Sequence, residues 1–273
     1  MRVLVSVDME GVAGVVHGDD VRPGHAEYER NRRYMTAEAN AAVRGVLAHD
    51  AEAAVVVADS HAGFRNLLPH ELDPRSTLVR GKPRRLGMLG GLDEAPDAVL
   101  FVGYHGMAGT ACSVLSHTVS GASIARVSCN GRELGETGLG AALAAHHGAA
   151  PVLAAGDDTL TEEAEEIVPG IHTVTVKWAH GANAARSLHP DEAAARIEAE
   201  VPRALADREN VRAPRFEGAV DLEVEMLKPG MTERAQLIPG VELRGPRTIG
   251  YRAADFPTAH GLVSLLAVLA TAD

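Results

Sequence analysis

Cysteine is scarce in this sequence: the 273 residues contain two, Cys112 and Cys129. Two cysteines cannot form the disulfide framework of a small secreted domain, and they exclude a cysteine-rich zinc site. A reducing compartment is the simplest environment for such a chain. We therefore expect a cytoplasmic protein.

Basic residues are outnumbered by acidic ones, 26 Lys and Arg against 37 Asp and Glu, which gives a net charge of −11. A nucleic-acid backbone requires a basic surface, so this balance argues against DNA or RNA as a partner.

Long apolar runs are also missing. The longest, Leu262 to Ala270 with Ser264 inside it, is too short to cross a bilayer. At the amino terminus, Met1-Arg2 leads straight into Val3–Val7 and then into acidic residues, without the features of a cleavable signal. The sequence therefore predicts neither secretion nor membrane association.

Short aliphatic runs alternate with longer helical segments in the first part of the chain, which predicts parallel strands joined by helical crossovers. Strands covered on both faces read as nearly continuous apolar runs. The predicted strands are Val3–Val7, Ala53–Ala58, Ala98–Val102 and Pro151–Ala155, and the predicted helices are Tyr28–Asp50 and Gly138–His147.

The pattern changes near Pro169-Gly170, where the segments 171–177 and 219–226 alternate apolar and polar residues. Helices are predicted over His189–Arg208 and Pro257–Ala272, and Asn130-Gly131 predicts a hairpin within 123–133. We therefore predict an α/β fold with a mostly parallel sheet domain over residues 1–168 and a smaller α+β domain over 169–273.

Asp8 and Glu10 follow the first predicted strand. Residues two apart in a strand point to the same side, so the two carboxylates would converge. Like charges held this close raise each other's pKa unless a cation lies between them. Taken alone, the pair is more simply an acidic turn exposed to solvent.

His61 and His105 each follow a predicted strand by two or three residues. The carboxyl ends of parallel strands share one edge of a sheet, where α/β proteins build their sites. Carboxylates with imidazoles and no thiolate suit Zn²⁺, Mn²⁺ or Fe²⁺, and several of each suggest two ions sharing a carboxylate. Asp59 is either an orienting partner of His61 or a cap of the next turn.

Two further residues are ambiguous from spacing. His117 is either a general acid/base or oxyanion donor, or a structural histidine. Glu136 opens a predicted helix, where acidic residues are favoured in any case, so spacing alone does not single it out as a ligand.

At these positions the sequence resembles the zinc-dependent D-aminopeptidases of peptidase family M55. The resemblance covers most of the chain in register. The motifs that carry it are Ser6-Val7-Asp8-Met9-Glu10-Gly11, Asp59-Ser60-His61, Gly103-Tyr104-His105, Ser116-His117 and Gly135-Glu136.

The resemblance implies a Rossmann-like domain with a smaller second domain, and two zinc ions per subunit, which Mn²⁺ or Co²⁺ can also replace. It implies that Asp8 bridges the ions, that the other ligands are Glu10, His61, His105 and Glu136, and that His117 is catalytic. It further implies a homo-oligomer of two stacked pentamers acting on short peptides such as D-Ala-D-Ala.

The predicted function is therefore removal of an amino-terminal D-residue by a water activated at two metal ions. Two other interpretations compete with it. A dinuclear-metal phosphoesterase would use similar ligands, but the sequence shows no Gly-rich phosphate loop and no obvious Arg/Lys clamp beside the motifs. A non-catalytic dipeptide-binding protein would bind peptides without cleaving them.

Overall fold

The computed structural model of the chain describes residues 1–271. Its strands are β1 (Arg2–Val7), β2 (Ala54–Asp59), β3 (Ser76–Val79), β4 (Ala98–Tyr104), β5 (Ile124–Cys129), β6 (Arg132–Glu133), β7 (Ala150–Asp157), β8 (His172–Gly181), β9 (Ala184–Ser187), β10 (Val220–Met226), β11 (Glu242–Gly245) and β12 (Thr248–Ala253). Its helices are α1 (Ala26–His49), α2 (Glu136–His146), α3 (Asp158–Ile167), α4 (Pro190–Ala206), α5 (Pro229–Ala235) and α6 (Phe256–Thr271).

Within the described residues, seven strands form a first sheet in the order β3-β2-β1-β4-β7-β8-β9. All neighbours pair in parallel except β8 and β9. From β1 the chain first adds β2 and β3 on one side and then β4, β7 and β8 on the other. The order of the strands thus reverses between β1 and β4, and ligands bind at such a switch point in open α/β sheets.

Helices cover both faces of the first sheet because its central strands are apolar on both sides. On β1, the alternate residues Val3, Val5 and Val7 belong to the core that includes α1 and α4. Leu4, which points the other way, belongs to the core that includes α2 and α6. This arrangement fixes the carboxyl end of β1 between two packed layers.

A second, antiparallel sheet has the order β11-β12-β10-β5-β6 among the described strands. Its central strand β10 buries every second residue, as the alternating pattern predicts. The hairpin between β5 and β6 turns at Asn130-Gly131, both with positive φ (51° and 79°), as a two-residue turn of this type requires. The α/β fold class and the mostly parallel sheet are thus confirmed.

The predicted domain boundary at residue 168 stays a prediction. The strands of the two sheets are not divided at that residue. β8, β9 and α4 lie beyond residue 168 but belong to the first sheet and its helical layer, whereas β5 and β6 come before it and belong to the second sheet. The segment 171–177, predicted as part of the second domain, forms most of β8, which pairs in parallel with β7 of the first sheet. One apolar core also joins the second sheet to the first.

No helix of the described residues has the length and apolar character needed to cross a membrane. The last helix was predicted to end at Ala272, a position that lies outside the described residues.

Candidate metal centre

Four of the predicted site residues lie at one edge of the first sheet. Asp8 and Glu10 follow β1, His61 follows β2 and His105 follows β4, and these three strands are direct neighbours. Their side chains are all buried. The parallel pairing of the strands thus brings together residues that are up to 97 positions apart, at the switch point of the sheet.

Glu136 and His117 reach the same place by other routes. Glu136 is the first residue of α2, which begins after the chain has passed through β5 and β6 of the second sheet. His117 lies on the long segment between β4 and β5. We refer to Asp8, Glu10, His61, His105 and Glu136 as the acid–histidine cluster, and His117 borders it.

On one side of the cluster, His61 contacts the two acids of β1. Its Nδ1 lies 2.8 Å from Glu10 Oε2 and 3.3 Å from Asp8 Oδ1. Asp8 is therefore shared, because its other oxygen, Oδ2, faces a different imidazole, 3.4 Å from His105 Nε2.

On the other side, His105 Nε2 lies 3.4 Å from Glu136 Oε2. His117 Nε2 lies 3.6 Å from Glu136 Oε1. The rings of His105 and His117 are stacked, with centroids 4.2 Å apart and planes inclined by 12°. Glu136 Oε1 also accepts a hydrogen bond from the Val119 amide at 2.7 Å, which fixes the carboxylate in front of the two histidines.

Each of the three histidines has one ring nitrogen held by a backbone carbonyl. His61 Nε2 donates to Val21 O at 3.0 Å, His105 Nδ1 to Gly106 O at 3.0 Å, and His117 Nδ1 to Leu115 O at 2.9 Å. Because a carbonyl oxygen only accepts, these nitrogens carry the hydrogen. The opposite nitrogen of every ring therefore faces the carboxylates, and it is the nitrogen available to a metal ion.

The electrostatics of the cluster favour the binding of a cation. Burial, together with the neighbouring Glu10, raises the pKa of Asp8. Burial alone would lower the pKa of His61, but the carboxylates of Glu10 and Asp8 raise it well above its ordinary value. Burial opposes the same change at His105, where Glu136 and Asp8 raise the pKa well above its usual range. Three buried carboxylates thus draw cations to this point.

A metal ion fits these residues. Donor atoms of Asp8, Glu10 and His105 lie within 4.8 Å of one another, and so do those of His105, His117 and Glu136. In the described part of the chain, buried His105 Nε2 has no hydrogen-bond partner. Carboxylate oxygens and imidazole nitrogens suit Zn²⁺, Mn²⁺ or Co²⁺, and His117, predicted as a catalytic residue, lies close enough to serve as a further donor.

Two glycines allow the segments that carry the acids and His105 to approach each other. A side chain at Gly103, where φ is +70°, would have its Cβ 2.3 Å from the Asp8 carbonyl oxygen, and one at Gly11 would lie 1.7 Å from the Tyr104 carbonyl oxygen. The Gly11 amide donates to Gly103 O at 2.8 Å. Glycine is therefore a geometric requirement at both positions.

Lys177 supports the site in a way that sequence reasoning missed. Its fully buried ammonium group donates to the carbonyls of Glu10, Val12 and Val15. It thereby holds the loop that carries Glu10. Burial lowers the pKa of Lys177 to about 8.

The contacts of Asp59 distinguish its two predicted roles, an orienting partner of His61 or a cap of the next turn. Its carboxylate accepts hydrogen bonds from the amides of Asn66 and Leu67 and from the Asn66 side chain, and among the described residues none comes from His61. Asp59 therefore caps the turn after His61. Asn66 in turn donates to the His61 carbonyl at 2.7 Å, so the cap still restrains that residue's backbone.

Fold and site together are typical of α/β metallohydrolases. The profile of peptidase family M55, described as D-aminopeptidase, matches residues 1–265. A D-aminopeptidase of Bacillus subtilis is 32% identical over 271 residues, which are 99% of this chain and 98% of that protein. The chain belongs to peptidase family M55.

A solved structure supports the same placement. It is described as a Zn-dependent D-aminopeptidase from Bacillus subtilis, a self-compartmentalizing protease. Its TM-score to this chain is 0.96 at 31% sequence identity, and the match covers 100% of this chain and 99% of that one. The fold is thus shared over the whole length.

Proposed function

We propose that this protein is a metal-dependent aminopeptidase that releases the amino-terminal D-residue from short peptides, with D-Ala-D-Ala as a representative substrate. The observation that carries the proposal is the acid–histidine cluster itself. Its three carboxylates are buried beside two imidazoles whose ring nitrogens face them, an arrangement that favours a bound cation. Membership of the M55 family supplies the reaction class.

The ligands proposed for two ions are Asp8, Glu10, His61, His105 and Glu136. The contacts of Asp8 support a bridging role, since its two oxygens face His61 and His105 separately. Zinc is the metal proposed, because the similar Bacillus protein is described as Zn-dependent and the donor set suits that ion. Divalent ions held here supply an activated water and a Lewis acid for the scissile carbonyl.

His117 is proposed as the residue that moves a proton. Its side chain is 21% exposed, against 4% for Asp8 and 3% for Glu136, so a substrate can reach it. Its Nδ1 is committed to Leu115 O, which leaves Nε2 as the nitrogen that gains and loses the proton. His117 Nε2 donates to the developing oxyanion or to the leaving amine.

Exopeptidase action requires a site for the amino end of the peptide. The free α-amino group is a cation, and a carboxylate near the metal ions anchors it. A peptide whose first residue is held in this way places its first peptide bond beside His117. Internal peptide bonds lack the charged end that the site recognises.

A homo-oligomer of two stacked pentamers is proposed as the working form. The similar solved structure is described as self-compartmentalizing. Large apolar side chains are exposed in the half that contains the second sheet: Leu237 (81%), Leu243 (51%) and Leu265 (51%). Exposed apolar residues of this size commonly mark contacts between subunits.

The proposal is tested by metal analysis of the purified protein, followed by release assays on D-Ala-D-Ala and L-Ala-L-Ala side by side. Two zinc ions per subunit and preferential release of D-alanine are the expected results. Single replacements of Asp8 by Asn and of His105 by Ala should lose both metal and activity. The control is p-nitrophenyl phosphate, and its hydrolysis without peptide cleavage would instead identify a phosphoesterase.

A further inference from the structure

An open groove with a volume of about 860 Å³ lies next to the turn that follows His61. It starts at the turn that follows His61, because Gly63 and Arg65 line it. Arg80 and Lys82, from the segment that follows β3, also line it. The groove is therefore built by the same turn that positions a proposed metal ligand.

The groove is cationic in a protein whose net charge is −11. Arg65, Arg80 and Lys82 are all exposed, and within residues 1–271 none of them has a carboxylate within ion-pair distance. Arg32, which also lines the groove, is by contrast paired with Glu29 at 3.1 Å. Unpaired cations that line a concave surface indicate an anionic ligand.

Lys82 is the groove cation most directly linked to the cluster. Its Nζ lies 4.3 Å from the centroid of the Phe64 ring, a cation–π contact that orients the side chain. The Phe64 amide donates to His61 O at 2.7 Å, and the Gly81 amide donates to Phe64 O at 2.6 Å. Two hydrogen bonds thus connect the backbone next to Lys82 with the backbone of His61.

The second cation on the Phe64 ring has a different role. Arg84 lies 4.0 Å from the ring centroid, but it donates to Asp59 O at 2.6 Å and to Val79 O at 3.1 Å. Its guanidinium therefore holds the backbone together. Lys82 makes no such bond in the described part of the chain, so its ammonium group remains available to a ligand.

Electrostatics agree with this placement. Burial and the neighbouring Arg84 lower the pKa of Lys82, while Glu136 and Asp8 act in the opposite direction. The charge of the cluster thus acts on the ammonium group of Lys82.

We infer that Lys82 binds the carboxyl-terminal carboxylate of the peptide substrate and so selects short peptides. The inference rests on the proposed aminopeptidase function. With its amino end at the cluster, a dipeptide extends away from the scissile carbonyl by one residue, roughly 3.5 Å of extended chain, before its carboxylate begins. A cation fixed beside the His61 turn recognises that group. Longer peptides place an uncharged peptide bond there instead.

The test uses the zinc-loaded oligomer and two matched substrates, D-Ala-D-Ala and its carboxamide, which lacks the negative charge. Lys82→Gln should raise KM for D-Ala-D-Ala by about 10- to 100-fold, as expected for loss of a charged hydrogen bond. KM for the carboxamide and kcat for both substrates should change by less than about threefold. Lys82→Arg should restore much of the preference for the carboxylate.

Arg85→Gln is the matched control, because Arg85 is exposed in the same segment but does not line the groove. Arg80→Gln tests the neighbouring cation. Equal effects of Lys82→Gln on both substrates, or a selective loss in Arg80→Gln alone, would overturn the assignment.

Calorimetric titration with a phosphinate analogue of D-Ala-D-Ala, which is not hydrolysed, separates this inference from the proposed function. If the wild-type protein cleaves neither substrate, the aminopeptidase proposal fails. Binding of the analogue then decides the role of Lys82: weaker binding by Lys82→Gln supports it, and unchanged binding refutes it.

Discussion

At the scale of single residues, His117 differs from its neighbours in access to solvent. It borders the acid–histidine cluster, contacts Glu136 at 3.6 Å and stays partly exposed. A proton donor must reach the substrate, whereas a ligand that only holds a metal does not. The partial exposure of His117 favours the role of proton donor over that of a metal ligand.

Replacing His117 with Ala should reduce kcat by about 10²- to 10⁴-fold if it acts as a general acid/base. The zinc content should be unchanged, because the five cluster residues remain. Steady-state kinetics and metal analysis check both expectations. His70→Ala, at an exposed position, is the control. Loss of zinc in His117→Ala would make it a ligand instead, and unchanged turnover would remove it from the mechanism.

Some site residues could be predicted from the sequence and others could not. Asp8, His61 and His105 follow apolar strands, so the common edge of a parallel sheet predicts that they meet, and the structure brings them together. Glu136 arrives after a passage through the second sheet, which no local pattern reports, so only the family resemblance pointed to it. Lys82 lies in an irregular segment, and the cationic groove was missed for that reason.

At the scale of elements, the approach of two segments at Gly103 determines how the cluster forms. Gly103→Ala would place a Cβ against the Asp8 carbonyl in a left-handed backbone conformation, at a cost of at least about 3 kcal/mol. Thermal unfolding should show a large decrease in Tm, and zinc binding should weaken because Asp8 must move.

Gly109→Ala is the matched control for that change. Gly109 has φ +87° but no neighbouring atom within 4 Å of the added Cβ. Only the conformational cost of about 1–2 kcal/mol applies there. Equal effects of the two substitutions would contradict the importance of the close approach.

Glu38 links α1 to the loop after β1, because its Oε1 accepts a hydrogen bond from the Ala13 amide at 2.9 Å. Burial raises the pKa of this carboxyl from 4.5 to about 7. The folded protein therefore binds the proton more tightly than the unfolded chain does. The stability that this contributes is complete below pH 4.5 and is lost as the pH rises through 7.

Glu38→Gln keeps the hydrogen-bond acceptor without the charge, so it should unfold at a higher temperature than the wild type at pH 8. The corresponding gain in free energy of unfolding is at most about 3 kcal/mol. The difference should shrink towards pH 4.5. Thermal melts across this range measure it, with exposed Glu52→Gln as the control. A difference that does not depend on pH would contradict the assignment.

The elements also show why the two sheets do not divide at residue 168. The predicted strands and helices of the first half were found, because continuous apolar runs identify central strands. β8 was assigned to a separate lobe since its residues alternate in polarity. It lies near the edge of the first sheet, between β7 and the short β9, and is only partly covered. Alternation reports half-exposure and does not reveal which sheet a strand joins.

At the scale of the whole molecule, the proposed oligomer makes a prediction about mass. Native mass spectrometry should give ten times the subunit mass of 28.6 kDa. Leu237→Glu puts a charge at the most exposed of the large apolar side chains and should favour smaller species, with the circular dichroism spectrum unchanged. A monomeric wild-type protein would contradict the proposed assembly.

The chain passes from the first sheet to the second, back to the first, and once more to the second. Neither sheet is therefore a contiguous module that recombination could exchange between relatives. A chimera joined at residue 168 would combine β5 and β6 of one parent with β10 of the other. It would also pair β7 of one parent with β8 of the other. A change in a loop, such as the segment that carries Lys82, by contrast leaves both sheets intact.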